Sequence, residues 1–311
     1  MKVVVTGGAG FIGANLCELL AGSADVDEVV ALDDLSTGFV ENLDGIDAKF
    51  VEGTILDTEL LDRVFAGAGS IVHLGARGSV PRSVDDPVAS HDANTNGTLQ
   101  VLEAARRAGN VQVIVASSSS VYGANTQLPK VETMATRPVS PYAATKLATE
   151  SYTLAWQFTY GLPTLAFRFF NVFGPKQSVG HAYAAVMPAF LDAAISGRPL
   201  PVHGDGTQTR DFTYVGTVCS VIADAIGRQV THPDAVNLAF GTRTSLLEVI
   251  SAMEELMGRD LPLEFQPTRR GDVKHTQADN GVLMGLFPDV VPTDLRAGLA
   301  ATIAWYEQHL G

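Results

Sequence analysis

The chain has 311 residues, 46% of them hydrophobic and 18% charged, and a formal net charge of −13. That length is enough for one large or two modest domains. That charge repels nucleic acid unless a local basic stripe offsets it, and the sequence has none. No apolar run reaches the roughly 18–20 residues of a membrane span, and two cysteines far apart, Cys17 and Cys219, make neither a disulfide framework nor a zinc cluster.

Residues 2–6, Lys-Val-Val-Val-Thr, read as a buried strand that begins without a signal peptide's basic, apolar and small-residue sections. A cytoplasmic protein is therefore expected. Strand patterns follow at 29–32, 71–74 and 111–115, and helical periodicity at 12–22, 58–66, 91–108 and 142–160. This alternation predicts an α/β chain with a Rossmann-type, doubly wound parallel sheet and right-handed crossovers. Residues 113–119 form a central strand with serines at its carboxyl end, where such sheets bind ligands. Beyond about 170, prolines break the pattern into shorter elements. Residues 1–170 are expected to form the main domain, with 212–240 returning to it. Residues 171–211 and 241–311 are expected to form a smaller lobe, closed by an amphipathic helix at 294–310.

Between the first strand and helix, Thr6-Gly-Gly-Ala-Gly-Phe-Ile-Gly13 places Gly7, Gly10 and Gly13 three apart. Gly7 and Gly10 let the backbone turn and approach a pyrophosphate. The helix starting near Phe11 and Ile12 adds amide donors and a positive dipole end. Asp33 closes the second strand 20 residues past Gly13, placed to accept both ribose hydroxyl hydrogens. A 2′-phosphate there meets Asp33 and its neighbour Asp34, so NAD is favoured over NADP. Alone, the glycine turn also fits a strand–helix corner with no ligand; the acid at the second strand makes the difference.

Tyr142 and Lys146 in Ser140-Pro-Tyr-Ala-Ala-Thr-Lys146 share one helix face. A phenol titrates near 10 and is a poor base at neutral pH. A nearby ammonium together with a cationic nicotinamide is expected to lower that value. Ser118, on the strand end in Ala116-Ser-Ser-Ser-Ser-Val-Tyr-Gly123, shares the same substrate oxygen. A lone Y-x-x-x-K fits a solvated helix face equally well, but Ser118 and the glycine loop turn the pair into a hydride-transfer site.

With these motifs the chain resembles the extended short-chain dehydrogenase/reductase family, and within it the nucleotide-sugar 4-epimerases of the UDP-glucose/UDP-N-acetylglucosamine group. The likeness runs through residues 6–13, 73–82, 94–97, 117–123, 142–146, 168–174, 204–212 and 269–272. It implies an NAD site completed by Gly75, Ala76, Arg77 and Asn94. It also implies a UDP-sugar held by Asn171, Arg210 and Arg269, with Asp272 near the uridine ribose and Ser79 and Ser119 as further contacts. Two arginines suit a diphosphate on chemical grounds as well, since each forks onto anionic oxygens. The family often has an acid after the glycine matching Gly53; this chain has Thr54, which moves the adenine contact to Ile55 and backbone groups. A homodimer through the helices at 91–108 and 142–160 is likewise implied, and no metal is.

Sugar 4,6-dehydratases carry an Asp-Glu pair after the catalytic residue, and UDP-glucuronate decarboxylases a Glu. Here Ser119 and Ser120 follow, and serine does not titrate for water elimination. The resemblance therefore implies NAD-dependent C4 epimerisation of a UDP-hexose through a transient 4-keto sugar. Thr276, four residues past the R-x-G-D aspartate, gates the space around the C2 substituent and is small enough to admit an N-acetyl group. The stretch 118–126 resembles UDP-glucuronate 4-epimerases, a second alternative in which Lys176 or His181 meets the sugar carboxylate. A catalytically silent NAD-binding regulator is a third. His73 is expected in the core, and His181, His203 and His275 in the substrate half.

Overall fold

The computed structural model describes residues 1–178, 185–268 and 274–310. Its first half alternates β1 (Lys2–Thr6), α1 (Phe11–Ala21), β2 (Glu28–Asp33), β3 (Lys49–Glu52), α2 (Thr58–Phe65) and β4 (Ala68–His73). Then come α3 (Val80–Asp85), α4 (Pro87–His91), α5 (Gly97–Arg107), β5 (Gln112–Ser118), α6 (Pro141–Tyr160) and β6 (Thr164–Phe169). The second half contains β7 (Asn171–Phe173), α7 (Val186–Ile195), β8 (Leu200–His203), β9 (Thr209–Arg210), β10 (Phe212–Tyr214), α8 (Val215–Gly227) and β11 (Val236–Leu238). It closes with β12 (Thr244–Ser245), α9 (Leu246–Met257), β13 (Leu263–Gln266), α10 (Gly281–Leu286) and α11 (Leu295–Leu310).

Seven strands form one parallel sheet in the order β11-β6-β5-β4-β1-β2-β3. From β1 the chain winds outward through β2 and β3, then crosses back to β4, so the direction of winding reverses between β1 and β4. In open sheets the ligand crevice lies at that reversal, beyond the strands' carboxyl ends. Val3, Val4 and Val5 are fully buried, as expected for strands covered on both faces. Helices α1 and α8 pack together on one face around Leu16, Cys17, Val218 and Ile222. On the other, α2 and α5 enclose Leu61, Phe65, Val101 and Leu102. The smaller lobe has its own core of Phe190, Leu200, Val249, Met253 and Tyr306, with three two-stranded sheets, β10-β7, β12-β9 and β13-β8.

Of residues 212–240, expected to return to the main sheet, α8 and β11 do so, α8 covering α1 and β11 pairing β6, whereas β10 at 212–214 pairs β7 in a separate two-stranded sheet. Leu283 and Phe287, expected in the smaller lobe, instead pack in the core that α1 and α8 cover, because α10 lies against β11. The helix expected at 91–108 is also interrupted. A π turn at Asp92–Asn96 separates α4 from α5. It frees the Asn94 carbonyl, which accepts hydrogen bonds from Thr98 Oγ1 (2.5 Å) and Thr149 Oγ1 (3.0 Å). Two threonine hydroxyls, one on α5 and one on α6, thus stabilise a bulge of the kind that gathers at functional sites, which hydrophobic spacing alone does not signal. No helix among the described residues is long and apolar enough to cross a membrane.

Candidate active site

The glycine loop is shaped by its lack of side chains. Gly7 sits at φ +71°, and a Cβ there would lie 2.8 Å from Gly75 N. A Cβ on Gly13 would lie 2.0 Å from the Gly7 carbonyl oxygen, and one on Gly10 3.2 Å from that same atom. The loop therefore folds tightly on itself at the start of α1, which Gly10, just before its first turn, leaves without a side-chain cap. Uncapped amides at such an end suit an anion. Asp33 Oδ2 accepts from Ala9 N (3.0 Å) and Oδ1 from Leu35 N (2.9 Å). Burial raises its pKa, partly opposed by these amide hydrogen bonds. Each oxygen retains acceptor capacity for a ribose hydroxyl. Ile55 packs beside Gly97, where a Cβ would lie 2.5 Å from Ile55 Cδ1. Together these features fit NAD, whose pyrophosphate Gly7, Gly10 and the first turn of α1 would hold and whose ribose Asp33 would hold.

Asp33→Ala is expected to weaken NAD binding about 10- to 100-fold, the range for losing hydrogen bonds to a charged group. It is also expected to narrow the preference for NAD over NADP by removing the repulsion. Calorimetric titration of cofactor-stripped protein with each dinucleotide measures both; an unchanged NAD affinity would remove Asp33 from the site.

Asn94 is used differently from a simple cofactor contact. Its Oδ1 accepts from Arg77 N (2.7 Å), while its Nδ2 donates to Arg77 O (3.3 Å) and Thr145 Oγ1 (2.9 Å). Thr145 Oγ1 in turn donates to the Tyr142 carbonyl (2.8 Å). Asn94 thus clamps the Gly75-Ala76-Arg77 loop to the helix carrying Tyr142. Gly75 N donates to Thr6 Oγ1 (3.2 Å), and Arg77 Nη1 is paired with Asp86 Oδ2 (3.1 Å). Ser79 holds a non-glycine φ of +95°, and its Oγ accepts from Arg82 N (3.4 Å) at the start of α3. His73 lies in the core between Thr6 Oγ1 (2.8 Å) and Thr98 Oγ1 (3.0 Å), with a pKa pushed down to about 3 by burial.

Ser118, Tyr142 and Lys146 converge where β5 ends against α6. Pro141 opens α6, Ser140 Oγ caps it on Ala143 N (3.1 Å), and Tyr142 N donates to the buried Ser83 Oγ (2.9 Å). Lys146 is buried, and its Nζ donates to Ala116 O (2.8 Å). Burial pushes its pKa down to about 8, so it remains an ammonium at pH 7. Ser118 Oγ accepts from Ser120 N (3.1 Å). Ser118 lies near enough to the Tyr142 hydroxyl to lower the phenol's pKa, but burial has the larger effect and leaves it raised. Lys146 does not by itself offset that burial, because its ammonium is turned toward the Ala116 carbonyl; the expected lowering calls on a cationic nicotinamide as well. A cationic ligand beside the phenol is needed to bring it down.

In the substrate half, Asn171 Nδ2 lies 3.3 Å from Thr276 Oγ1, which also accepts from Asp211 N (3.3 Å). Arg210 Nη1 donates to Thr209 O (2.9 Å) and Lys274 O (3.2 Å). It borders a cavity shared with Val186, Ala189, Pro201, His203, Gln208 and Leu246. In the parallel β8–β13 pair, Leu200 N donates to Pro262 O and Gly204 N to Gln266 O, both at 2.8 Å. That pattern directs the Pro201 carbonyl and the His203 N–H to the opposite edge. The His203 carbonyl on that edge accepts from Gln208 Nε2 (2.5 Å). Gln208 Oε1 is buried without a hydrogen-bond partner and lines the same cavity. His275 bonds Thr209 Oγ1 (2.9 Å), and its pKa is lowered by burial and by Arg243, Lys274 and Arg210. Lys176, a candidate partner for a sugar carboxylate, is instead paired with Glu18 Oε2 (2.6 Å). Arg269, Asp272 and His181 lie outside the described residues.

Several side chains at the site carried no assignment from sequence: Ser83, Thr145, Pro201, Gln208, and the buried pair Glu150 and Arg168. Glu150 had a legible signal, falling four residues beyond Lys146 and eight beyond Tyr142 on one helix face.

Residues 3–239 match the model of the NAD dependent epimerase/dehydratase family. The chain is 36% identical to a UDP-glucose 4-epimerase of Mycolicibacterium smegmatis, over 98% of both chains. Its fold superposes on a UDP-N-acetylglucosamine 4-epimerase from Methanobrevibacter ruminantium in complex with UDP-N-acetylmuramic acid, with a TM-score of 0.92 and 32% identity, covering 99% of this chain and 98% of that one. It also superposes on a UDP-glucose 4-epimerase of Thermus thermophilus in complex with NAD, with a TM-score of 0.88 and 32% identity over 98% and 99% of the two chains. A glycine cradle ending in Asp33, a Ser118–Tyr142–Lys146 cluster at the sheet's carboxyl edge and end-to-end likeness to these enzymes together place the chain in the NAD dependent epimerase/dehydratase family.

Proposed function

We propose that the protein inverts C4 of a UDP-hexose by transient oxidation to the 4-keto sugar. The observation that carries this reading is the Tyr142 phenol facing Ser118, near enough for the hydroxyl to lower its pKa, on the same helix as the buried Lys146 ammonium. Bound NAD supplies the hydride acceptor and, with the sugar turned over, the hydride donor. Tyr142 as phenolate takes the C4 hydroxyl proton and gives it back on the return step. Ser118 bonds the same substrate oxygen and holds it in line. Lys146 keeps positive charge next to the phenolate. Serines at 119 and 120 leave these positions without the acid and base that dehydration needs.

The open edge of β8 supports a uracil base. The Pro201 carbonyl accepts an imino N–H, and the His203 N–H meets the adjacent base carbonyl. Arg210 then serves the diphosphate, with Arg269 as its proposed partner. Thr276, small and held by Asn171, leaves room around C2 for an N-acetyl group. The ion pair from Lys176 to Glu18 removes one cation on which UDP-glucuronate would depend, so neutral UDP-hexoses are the proposed substrates. Exposed Val84, Val88, Tyr152 and Phe158 on α3, α4 and α6 give a homodimer an apolar face to bury. Two free, buried cysteines suit a reducing cytoplasm.

Separate incubations with UDP-glucose, UDP-N-acetylglucosamine and UDP-glucuronate, read by NMR for C4 epimers, test the proposal. Epimerisation of a neutral sugar is expected, and turnover of the glucuronate alone would overturn the substrate assignment.

A further inference from the structure

Helix α6 meets the end of β5 through three polar contacts spaced four residues apart. Tyr142 faces Ser118, near enough for it to lower the phenol's pKa, Lys146 Nζ bonds Ala116 O at 2.8 Å, and Glu150 Oε2 accepts from Ser117 Oγ at 2.9 Å. The first two contacts belong to the reacting groups; the third does not. Glu150 is 4% exposed and Arg168 5%. Arg168 grips Glu150 with both arms of its guanidinium, Nε to Oε2 at 2.9 Å and Nη2 to Oε1 at 2.6 Å. Arg168 is the cross-strand neighbour of Ser117 on β6, so one carboxylate ties the helix to both strands. The remaining nitrogen, Nη1, reaches Tyr122 OH (2.8 Å), which donates to Asn237 Oδ1 on β11 (2.6 Å). The helix is thereby fixed to β5, β6 and β11 at once.

A buried ion pair is a poor device for stability, since apolar residues of similar volume often do as well or better. Its directional bonds do fix geometry, however. It leaves no net charge near Lys146, whose lowered pKa follows from burial, so it does not act by tuning that ammonium. We propose that Glu150, held by Arg168 and bonded to Ser117, is a positioning residue for the epimerisation: it sets the rotation and height of α6 against β5, and so the placement of the Tyr142 hydroxyl relative to Ser118. This rests on the proposed function above.

The test compares wild type with Ser117→Ala, Ser117→Thr and the paired replacement Glu150→Leu/Arg168→Met, measuring kcat, KM and melting temperature on the epimerised UDP-hexose. Ser117→Ala leaves the ion pair whole and cuts only its tie to the catalytic strand. Its kcat is expected to fall about 10-fold, equivalent to about 1.4 kcal/mol, with KM and melting temperature close to wild type. Ser117→Thr, which keeps the hydroxyl, is expected to recover most of that loss. The paired apolar variant is expected to fold and to lose about 100-fold in kcat, the scale of an ångström-sized misplacement. Wild-type kcat in Ser117→Ala overturns the inference, as does a loss that appears only in melting temperature or KM. If the paired variant does not fold, the two Ser117 variants decide. A wild type that epimerises no UDP-hexose overturns the functional reading instead, and the positioning role with it.

Discussion

Tyr142→Phe is expected to lower kcat by about 10³- to 10⁴-fold, the upper part of the range for losing a positioned general base. The phenyl ring retains the packing, and α6 keeps its cap from Ser140 and its contact with Ser83, since that contact uses the Tyr142 backbone N–H. The lost hydroxyl removes only the atom that accepts the C4 proton. Fold, bound NAD and KM should stay close to wild type, so the loss falls on the chemical step. Steady-state kinetics with cofactor content measured on the same preparation checks this. Activity within tenfold of wild type would mean that some other group takes the proton. Burial holds the phenol's pKa up and Ser118 offsets only part of this, so the reaction depends on cationic charge at the site.

The second large effect is expected at Gly13. A methyl group there would lie 2.0 Å from the Gly7 carbonyl oxygen and 2.8 Å from Gly8 Cα. Both are backbone atoms, and neither can swing aside as a side-chain tip can. Gly13→Ala therefore forces the loop away from the first turn of α1, pulling apart the amides proposed to hold the pyrophosphate. Overpacking of this kind costs about 1–3 kcal/mol, and NAD retained on purification should fall at least about tenfold. Chromatography of the released dinucleotide and a thermal melt test this together. Full NAD occupancy at an unchanged melting temperature would contradict the role given to the loop.

The parts of this protein legible in its sequence are those where one residue type answers one local demand. Glycines at 7, 10 and 13 reveal the loop because a Cβ at any of them meets backbone. Buried valines in β1 reveal a strand covered on both faces. Ser118, Tyr142 and Lys146 were legible because strand end and helix face lie next to each other in the alternating pattern. The π turn was not, since it depends on Thr149, more than fifty residues away, capturing the Asn94 carbonyl. The open edge of β8 was hidden because it depends on pairing with β13, some sixty residues later. Leu283 and Phe287 were misplaced because apolar spacing shows that a face is buried without showing against what. Arg168 sat within a recognised motif, yet its bond to Glu150 becomes visible only when β6 pairs with β5 and faces α6.

The most direct measurement uses a UDP-hexose carrying deuterium at C4, followed by NMR through conversion to its epimer. If hydrogen leaves C4 for a cofactor that stays bound and returns to the opposite face, the product keeps its deuterium and no free NADH accumulates. Replacement of that deuterium by solvent hydrogen would contradict the account.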